Sequence, residues 1–172
     1  MLPDSKIRIE TELQEAEEIL APWLKTDEPL DYTTRRIKIM GNGRSDSLDL
    51  DVEADELLAI IAALLDNEWG YLATITGVDL GPEAGIIELL YHFCHGTAVV
   101  TLAVKLPRDN AVVPSVCGII PSASFYEREV GEMLGVTITN TPNTDHLFLP
   151  DDWPDGVYPL RKDFHMPTAE NK

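Results

Sequence analysis

Apolar positions recur along the chain with two different periods, and each change of period marks an element. Leu13, Ala16, Leu20 and Leu24 fall at helical spacing among acidic and amide neighbours, which predicts an amphipathic helix over Thr11 to Leu24, capped by Thr11. Asp27 to Tyr32, with Pro29, breaks it. Arg35 to Met40 (RRIKIM) and Ser47 to Val52 (SLDLDV) then alternate polar with apolar. Gly41-Asn42-Gly43 between them tolerates positive φ, so the two runs are expected to pair as an antiparallel hairpin. From Glu53 to Asn67 the period returns to helical, with Leu57, Leu58, Ile60, Ile61, Leu64 and Leu65 forming a broad apolar face.

Three strands are predicted next, Tyr71 to Val78, Ile86 to Phe93 and Thr97 to Leu106, parted by turns at Gly81-Pro82 and His95-Gly96. Pro107 to Pro121 reads as an ordered loop. Ser122 to Leu134 is helical, with Ala123, Tyr126, Val130, Met133 and Leu134 on one face and Gly135 as its stop. From Thr139 onward no period survives. Phe148, Trp153, Tyr158 and Phe164 are too apolar to leave in water, so their rings must lie on this domain or on a partner. The pattern therefore predicts an α+β fold: a mostly antiparallel sheet with helices packed on it over residues 1–138, and an extended tail rich in Pro and aromatics over 139–172.

Composition changes the picture in one respect. Across 172 residues, 44% apolar and 25% charged residues suit an ordinary globular domain, but 13 basic against 30 acidic side chains give a net charge of −17. Such a charge repels nucleic acid and anionic bilayers and fits docking onto a basic protein surface. The longest apolar run, Leu57 to Leu65, falls far short of the ~20 residues needed to span a membrane. The N-terminal residues show no basic region followed by an apolar block, so a cytoplasmic location without membrane insertion is expected. Cys94 and Cys117 form no CxxC and cannot supply the four thiolates of an iron–sulfur cluster. Neither GxGxxG nor GxxxxGK follows a strand, which argues against a bound nucleotide.

Three stretches could carry chemistry. His92, Cys94 and His95 are metal-ligand types, but strand alternation separates His95 from the other two, and they read as a strand end. Glu127-Arg128-Glu129 and Glu132 occupy a helix where Glu127 flanks the apolar face and Arg128 offers a fork for an Asp or Glu elsewhere in the chain. In the tail, Trp153 and Tyr158 with Arg161, Lys162, Asp163 and Phe164 combine prolines, rings and a guanidinium, the chemistry of a clamp between chains.

In combination these stretches become recognisable. Val112-Val113-Pro114-Ser115, Tyr126-Glu127-Arg128-Glu129, Leu134-Gly135-Val136, Leu147-Phe148-Leu149-Pro150-Asp151-Asp152-Trp153 and Pro159-Leu160-Arg161-Lys162-Asp163-Phe164 occur in the order of the 30 kDa subunit family. The chain resembles that family, found in respiratory complex I (NADH:quinone oxidoreductase) and, as a counterpart, in membrane-bound energy-converting nickel–iron hydrogenases. The likeness is dense over the C-terminal third, holds in outline over residues 71–106, and does not extend to residues 1–50. It departs where the family commonly reads ErExxDlfGI and then gHP: Glu132 stands for the Asp, and 140–145 replace the gHP. The wording of 156–164 leans toward the hydrogenase branch.

The resemblance implies a non-catalytic assembly subunit of the hydrophilic arm, without an active site or cofactor of its own. Iron–sulfur clusters, and in a hydrogenase a nickel–iron centre, would sit in partner subunits. The implied partners are the large subunit (49 kDa-type or hydrogenase type) and the iron–sulfur subunits, with the chain held peripherally at the membrane through the complex. By the same resemblance Glu127, Arg128 and Glu129 belong to a buried ion-pair network and Arg161, Lys162 and Asp163 to the seam between subunits. Two rivals remain at this point: a stand-alone metal-dependent enzyme using Glu129, Glu132, His92 and His95, and an acidic adaptor.

Overall fold

A computed structural model describes residues 3–24 and 47–165. Helix α1 (Pro3–Leu20) is followed by a 3-10 turn (Ala21–Trp23), strand β1 (Ser47–Val52), helix α2 (Leu57–Asp66) and strands β2 (Tyr71–Asp79), β3 (Ile86–His95) and β4 (Ala98–Pro107). A second 3-10 turn (Arg108–Asn110) leads to strand β5 (Val112–Pro114), a third (Pro121–Ala123) to helix α3 (Ser124–Leu134), and strand β6 (Thr137–Thr139) closes the sequence of elements. The four long strands form one sheet in the order β1-β4-β3-β2, and β5 with β6 forms a parallel pair of its own.

The fold is α+β, with β2–β3–β4 antiparallel and β1 parallel to β4. The sheet puts one period-2 set on a single buried face: Leu48, Leu50 and Val52 of β1, Val100, Leu102 and Val104 of β4, and Ile87, Leu89, Tyr91 and Phe93 of β3. The helices close over this layer. Ile9, Leu13, Ala16 and Leu20 of α1, Leu57, Ile60, Ile61 and Leu64 of α2, and Val130 and Leu134 of α3 all belong to the same core. Among the described residues no helix is long and apolar enough to cross a membrane.

Some boundaries differ from the sequence reading, for identifiable reasons. Helix α1 begins at Pro3 rather than Thr11, and Ile9 extends its buried stripe by one turn toward the N-terminus. Its α-helical part ends at Leu20 because Pro22 has no N–H to continue the hydrogen-bond ladder. The predicted hairpin partner at 35–40 lies outside the described residues; β1 pairs with β4. The loop after Pro107 contains β5, whose partner β6 could not be foreseen because three-residue strands carry too little pattern. Helix α3 starts two residues later than expected, behind the turn that Pro121 opens.

Helix α3 approaches β2 very closely. A Cβ on Gly77 would collide with Leu134 Cδ1, so glycine is what lets the helix seat on the strand. At the far end of α3, Gly135 adopts φ 72° and reverses the chain, as its stop position predicts. A side chain there would also strike the ring of Tyr158.

Candidate functional site

The side chains singled out in the sequence gather around α3 and the segment 140–165 that wraps it. Helix α3 buries Glu127, Val130 and Leu134 on its inner face. Arg128, Glu129 and Glu132 lie on its outer side, where helical spacing makes them neighbours. Arg128 and Glu132 are both spent on main chain. Arg128 donates from Nε to Asp145 O at 2.8 Å and from Nη2 to His146 O at 2.6 Å. One turn on, Glu132 accepts from Leu147 N and Phe148 N, both at 2.8 Å. The segment 145–148 is thereby laid along the helix.

Glu127 works inward. It is 2% exposed and accepts from Val116 N at 2.7 Å, Ser115 Oγ at 2.8 Å and the Cys117 thiol at 3.2 Å. The carboxylate therefore fixes the turn at 115–117 against α3. Burial pushes the Cys117 thiol up, and the Glu127 charge adds to that effect. The Tyr91 hydroxyl is raised as well, first by burial and then by the same charge. Among the described residues, none of the ion pairs includes Glu127, Arg128 or Glu129. The expected ion-pair network around them is absent there, because the partners of Glu127 and Arg128 are an amide, two carbonyls, a hydroxyl and a thiol. Glu129 is half-buried.

The buried ion pair stands elsewhere, at residues the sequence reading did not select. Asp79, at the end of β2, receives Arg108 Nε at 3.0 Å on Oδ1 and Nη2 at 3.2 Å on Oδ2. Its two oxygens also accept from Gly81 N at 2.9 Å and Lys162 N at 2.8 Å. Burial acts to raise the Asp79 carboxyl, but the Arg108 fork and the two amides outweigh it and hold the group down at about 2. Asp163, half-exposed, takes a further bond from Arg108 Nη2. The signal for this node was an acid and an arginine each embedded in apolar neighbours, Val78-Asp79-Leu80 and Leu106-Pro107-Arg108, where an unpaired charge is costly.

The remaining tail residues complete a strap. Leu160 N donates to Met133 O at 3.0 Å, and Arg161 Nε donates to Leu134 O at 2.8 Å, satisfying carbonyls at the end of α3. The Arg161 guanidinium lies 4.6 Å from the centre of the Tyr158 ring. Trp153 donates to Val157 O at 2.8 Å and meets Phe164 at a centroid distance of 6.4 Å. Lys162 Nζ reaches Leu80 O at 3.3 Å. Trp153, Tyr158 and Phe164 are half-buried on this domain, whereas Phe125, Phe148 and Leu160 stay largely exposed. Between α3, β6 and the tail lies a cleft of about 370 Å³.

The metal-enzyme reading finds no assembled site among the described residues. His92 shares a 3.1 Å hydrogen bond with Thr101 on the sheet, His95 stacks on Trp69 at 5.5 Å, and Glu132 is engaged with the tail. No group of three or more His, Cys, Asp or Glu among the described residues is placed to hold a metal ion. The arrangement can clamp polypeptide.

Comparison with known proteins agrees with this geometry. Residues 50–170 match the family model of the respiratory-chain NADH dehydrogenase 30 Kd subunit. The chain is 37% identical over 122 residues to the C subunit of the NADH-quinone oxidoreductase of Moorella thermoacetica, covering 69% of this chain and 80% of that protein. It is 38% identical over 113 residues to the beta subunit of the membrane-bound hydrogenase of Pyrococcus furiosus, and spans 64% of that protein's length and 64% of its own. Among solved structures, a chain of the membrane-bound sulfane sulfur reductase, an archaeal respiratory membrane complex, superposes with a TM-score of 0.70 at 26% identity, over 91% of this chain and 86% of the other.

Proposed function

The chain belongs to the respiratory-chain NADH dehydrogenase 30 Kd subunit family, and on that premise we propose that it is a non-catalytic assembly subunit of a complex I-type oxidoreductase or a related membrane-bound hydrogenase. It packs against the large subunit, 49 kDa-type or hydrogenase type, beside the iron–sulfur subunits. Those partners carry the clusters and any nickel–iron centre. The chain sits peripherally on the cytoplasmic side, held to the membrane through the complex. The observation that carries this reading is the family match over 50–170, which includes α3 and the whole described strap.

Physical features support a docking role. Phe148 is 63% exposed and Phe125 60%, and aromatic anchors of this kind dominate protein interfaces. The net charge of −17 suits a basic counter-surface. Residues 139–165 would then act twice, as a strap on this domain and as part of the seam, with Trp153, Tyr158, Arg161, Lys162, Asp163 and Phe164 stiffening it.

Co-purification with the large subunit tests the proposal. A stable complex is expected, and removal of residues 140–172 should weaken it. Because that truncation also strips bonds from α3, Phe148→Asp serves as the cleaner variant, leaving the fold intact and reducing affinity about thirtyfold or more if Phe148 is an anchor. Failure of the intact chain to bind the large subunit would refute the assembly role. The neighbouring reading frames distinguish the branches: paired CxxC motifs for nickel in the large subunit mark a hydrogenase, and their lack marks a quinone reductase.

A further inference from the structure

Segment 149–157 is bonded differently from the chain on either side of it. Just before it, residues 145–148 are clipped to Arg128 and Glu132. Just after it, Tyr158 lies against Gly135, Leu160 and Arg161 meet the last carbonyls of α3, and Lys162 N reaches Asp79. Between these anchors the hydrogen bonds close on the segment itself. Trp153 N donates to Pro150 O at 2.9 Å, Val157 N to Pro154 O at 3.3 Å, and Trp153 Nε1 to Val157 O at 2.8 Å. One more comes from His146, in the first clip, to Pro150 O at 3.1 Å. No residue of the segment is fully buried, and only Leu149, Trp153 and Val157 are half-buried.

The segment forms one wall of the cleft of about 370 Å³, and α3 with β6 forms the other. A stretch fastened at both ends, unbonded to the wall it faces and shallowly buried, opens more readily than its flanks. Its carboxylates, Asp151, Asp152 and Asp155, are exposed and have no cationic partner among the described residues. Glu132 stands on the opposite wall, and the cation there, Arg128, is spent on carbonyls. Like charges thus oppose closure, against the apolar burial of Leu149, Trp153 and Val157 that favours it.

We propose that residues 149–157 form a flap that lifts from the cleft while its anchors stay fastened, and that ionic strength sets how far it opens. Repulsion among Asp151, Asp152, Asp155 and Glu132 raises the flap. Screening lets Leu149, Trp153 and Val157 settle and close the cleft. The device belongs to the chain itself, so it operates whatever the chain assembles with.

Acrylamide quenching of Trp153 fluorescence tests this in the full chain. With Trp23→Phe as background the other indole, Trp69, is 2% exposed and contributes little. Quenching of Trp153 is expected to fall about twofold as sodium chloride rises from about 0.02 M to about 0.5 M, where the screening length is about 4 Å. The triple variant Asp151→Asn, Asp152→Asn, Asp155→Asn should be quenched at the high-salt level throughout. Amide exchange at Leu147, Phe148 and Lys162, whose N–H groups bond to the anchoring side chains, should stay slow at both salt concentrations. Salt-independent quenching with all three aspartates in place overturns the proposal, as does a salt response that survives their replacement. Anchor amides that open together with Trp153 overturn it too, since the whole tail is then lifting.

Discussion

Helix α1 and the tail both cover the rest of the domain, yet they are held by opposite means. Helix α1 buries Ile9, Leu13, Ala16 and Leu20 in one apolar stripe. It adds a polar contact at Glu12, which accepts from Arg8, Thr97 N and Thr97 Oγ1. The tail has no such stripe. Segment 145–164 is fastened by amides and carbonyls to Arg128, Glu132, Asp79 and the last carbonyls of α3, with half-buried rings between. Apolar burial is tolerant of small shifts and insensitive to charge state. Hydrogen bonds to fixed side chains are directional, so each tail fastening depends on one or two atoms.

The largest effect is expected at the node that joins the tail to the sheet. Asp79→Ala leaves Arg108 without its buried partner and frees the Lys162 amide, so a loss of about 3–5 kcal/mol is expected in urea unfolding. The same variant should be cleaved faster by protease within 158–164. Leu13→Ala in α1 should cost about 2–5 kcal/mol through the cavity it leaves, but without selective cleavage of the tail. If Leu13→Ala loosens the tail as much as Asp79→Ala does, the two regions are not fastened independently.

Smaller perturbations sharpen the contrast. Gly135→Ala forces a side chain into φ 72° and against Tyr158. A cost of about 1–3 kcal/mol is expected, with loss of the Tyr158 contact visible as altered tyrosine fluorescence. Glu132→Ala should cost about 1–2 kcal/mol and show chiefly as faster amide exchange at Leu147 and Phe148, while the amides of β3 and β4 keep their protection.

Acid should affect the two regions through different groups. Burial raises Glu12, but the bonds from Arg8 and Thr97 outweigh it and leave it lowered from 4.5. Its stabilisation is present above that unfolded value and is lost as pH falls through the lower folded one. Asp79 behaves likewise between its unfolded value of 3.8 and its folded value of about 2. Urea midpoints should be flat above about pH 5 and decline below it. Asp79→Asn should remove the part of the decline between 3.8 and about 2, and an unchanged slope there would show that Asp79 carries no linkage.

Legibility followed the same division. The stripe of Leu13, Ala16 and Leu20, the alternation in β1 and the stop at Gly135 were readable, because each is a local period or a local backbone requirement. The stretches Glu127 to Glu132 and 158–164 were also legible, as charges and rings in an order that resembles one family, and they meet at α3 in the structure. Their partners were not, since an ion pair was expected where Glu127 instead holds a turn, and Asp79 and Arg108 were passed over.

Local order of residues was enough to set which of the longer segments become helix or strand, which faces must leave water, and the family to which residues 50–170 belong, because periodicity and spaced motifs are properties of near neighbours. Folding in three dimensions was needed to lay β1 parallel to β4, to join Asp79 to Asp163 through Arg108, and to bring the tail's backbone to Arg128 and Glu132. Those contacts join positions far apart in the chain. A donor's identity does not encode which distant acceptor folding brings within its reach.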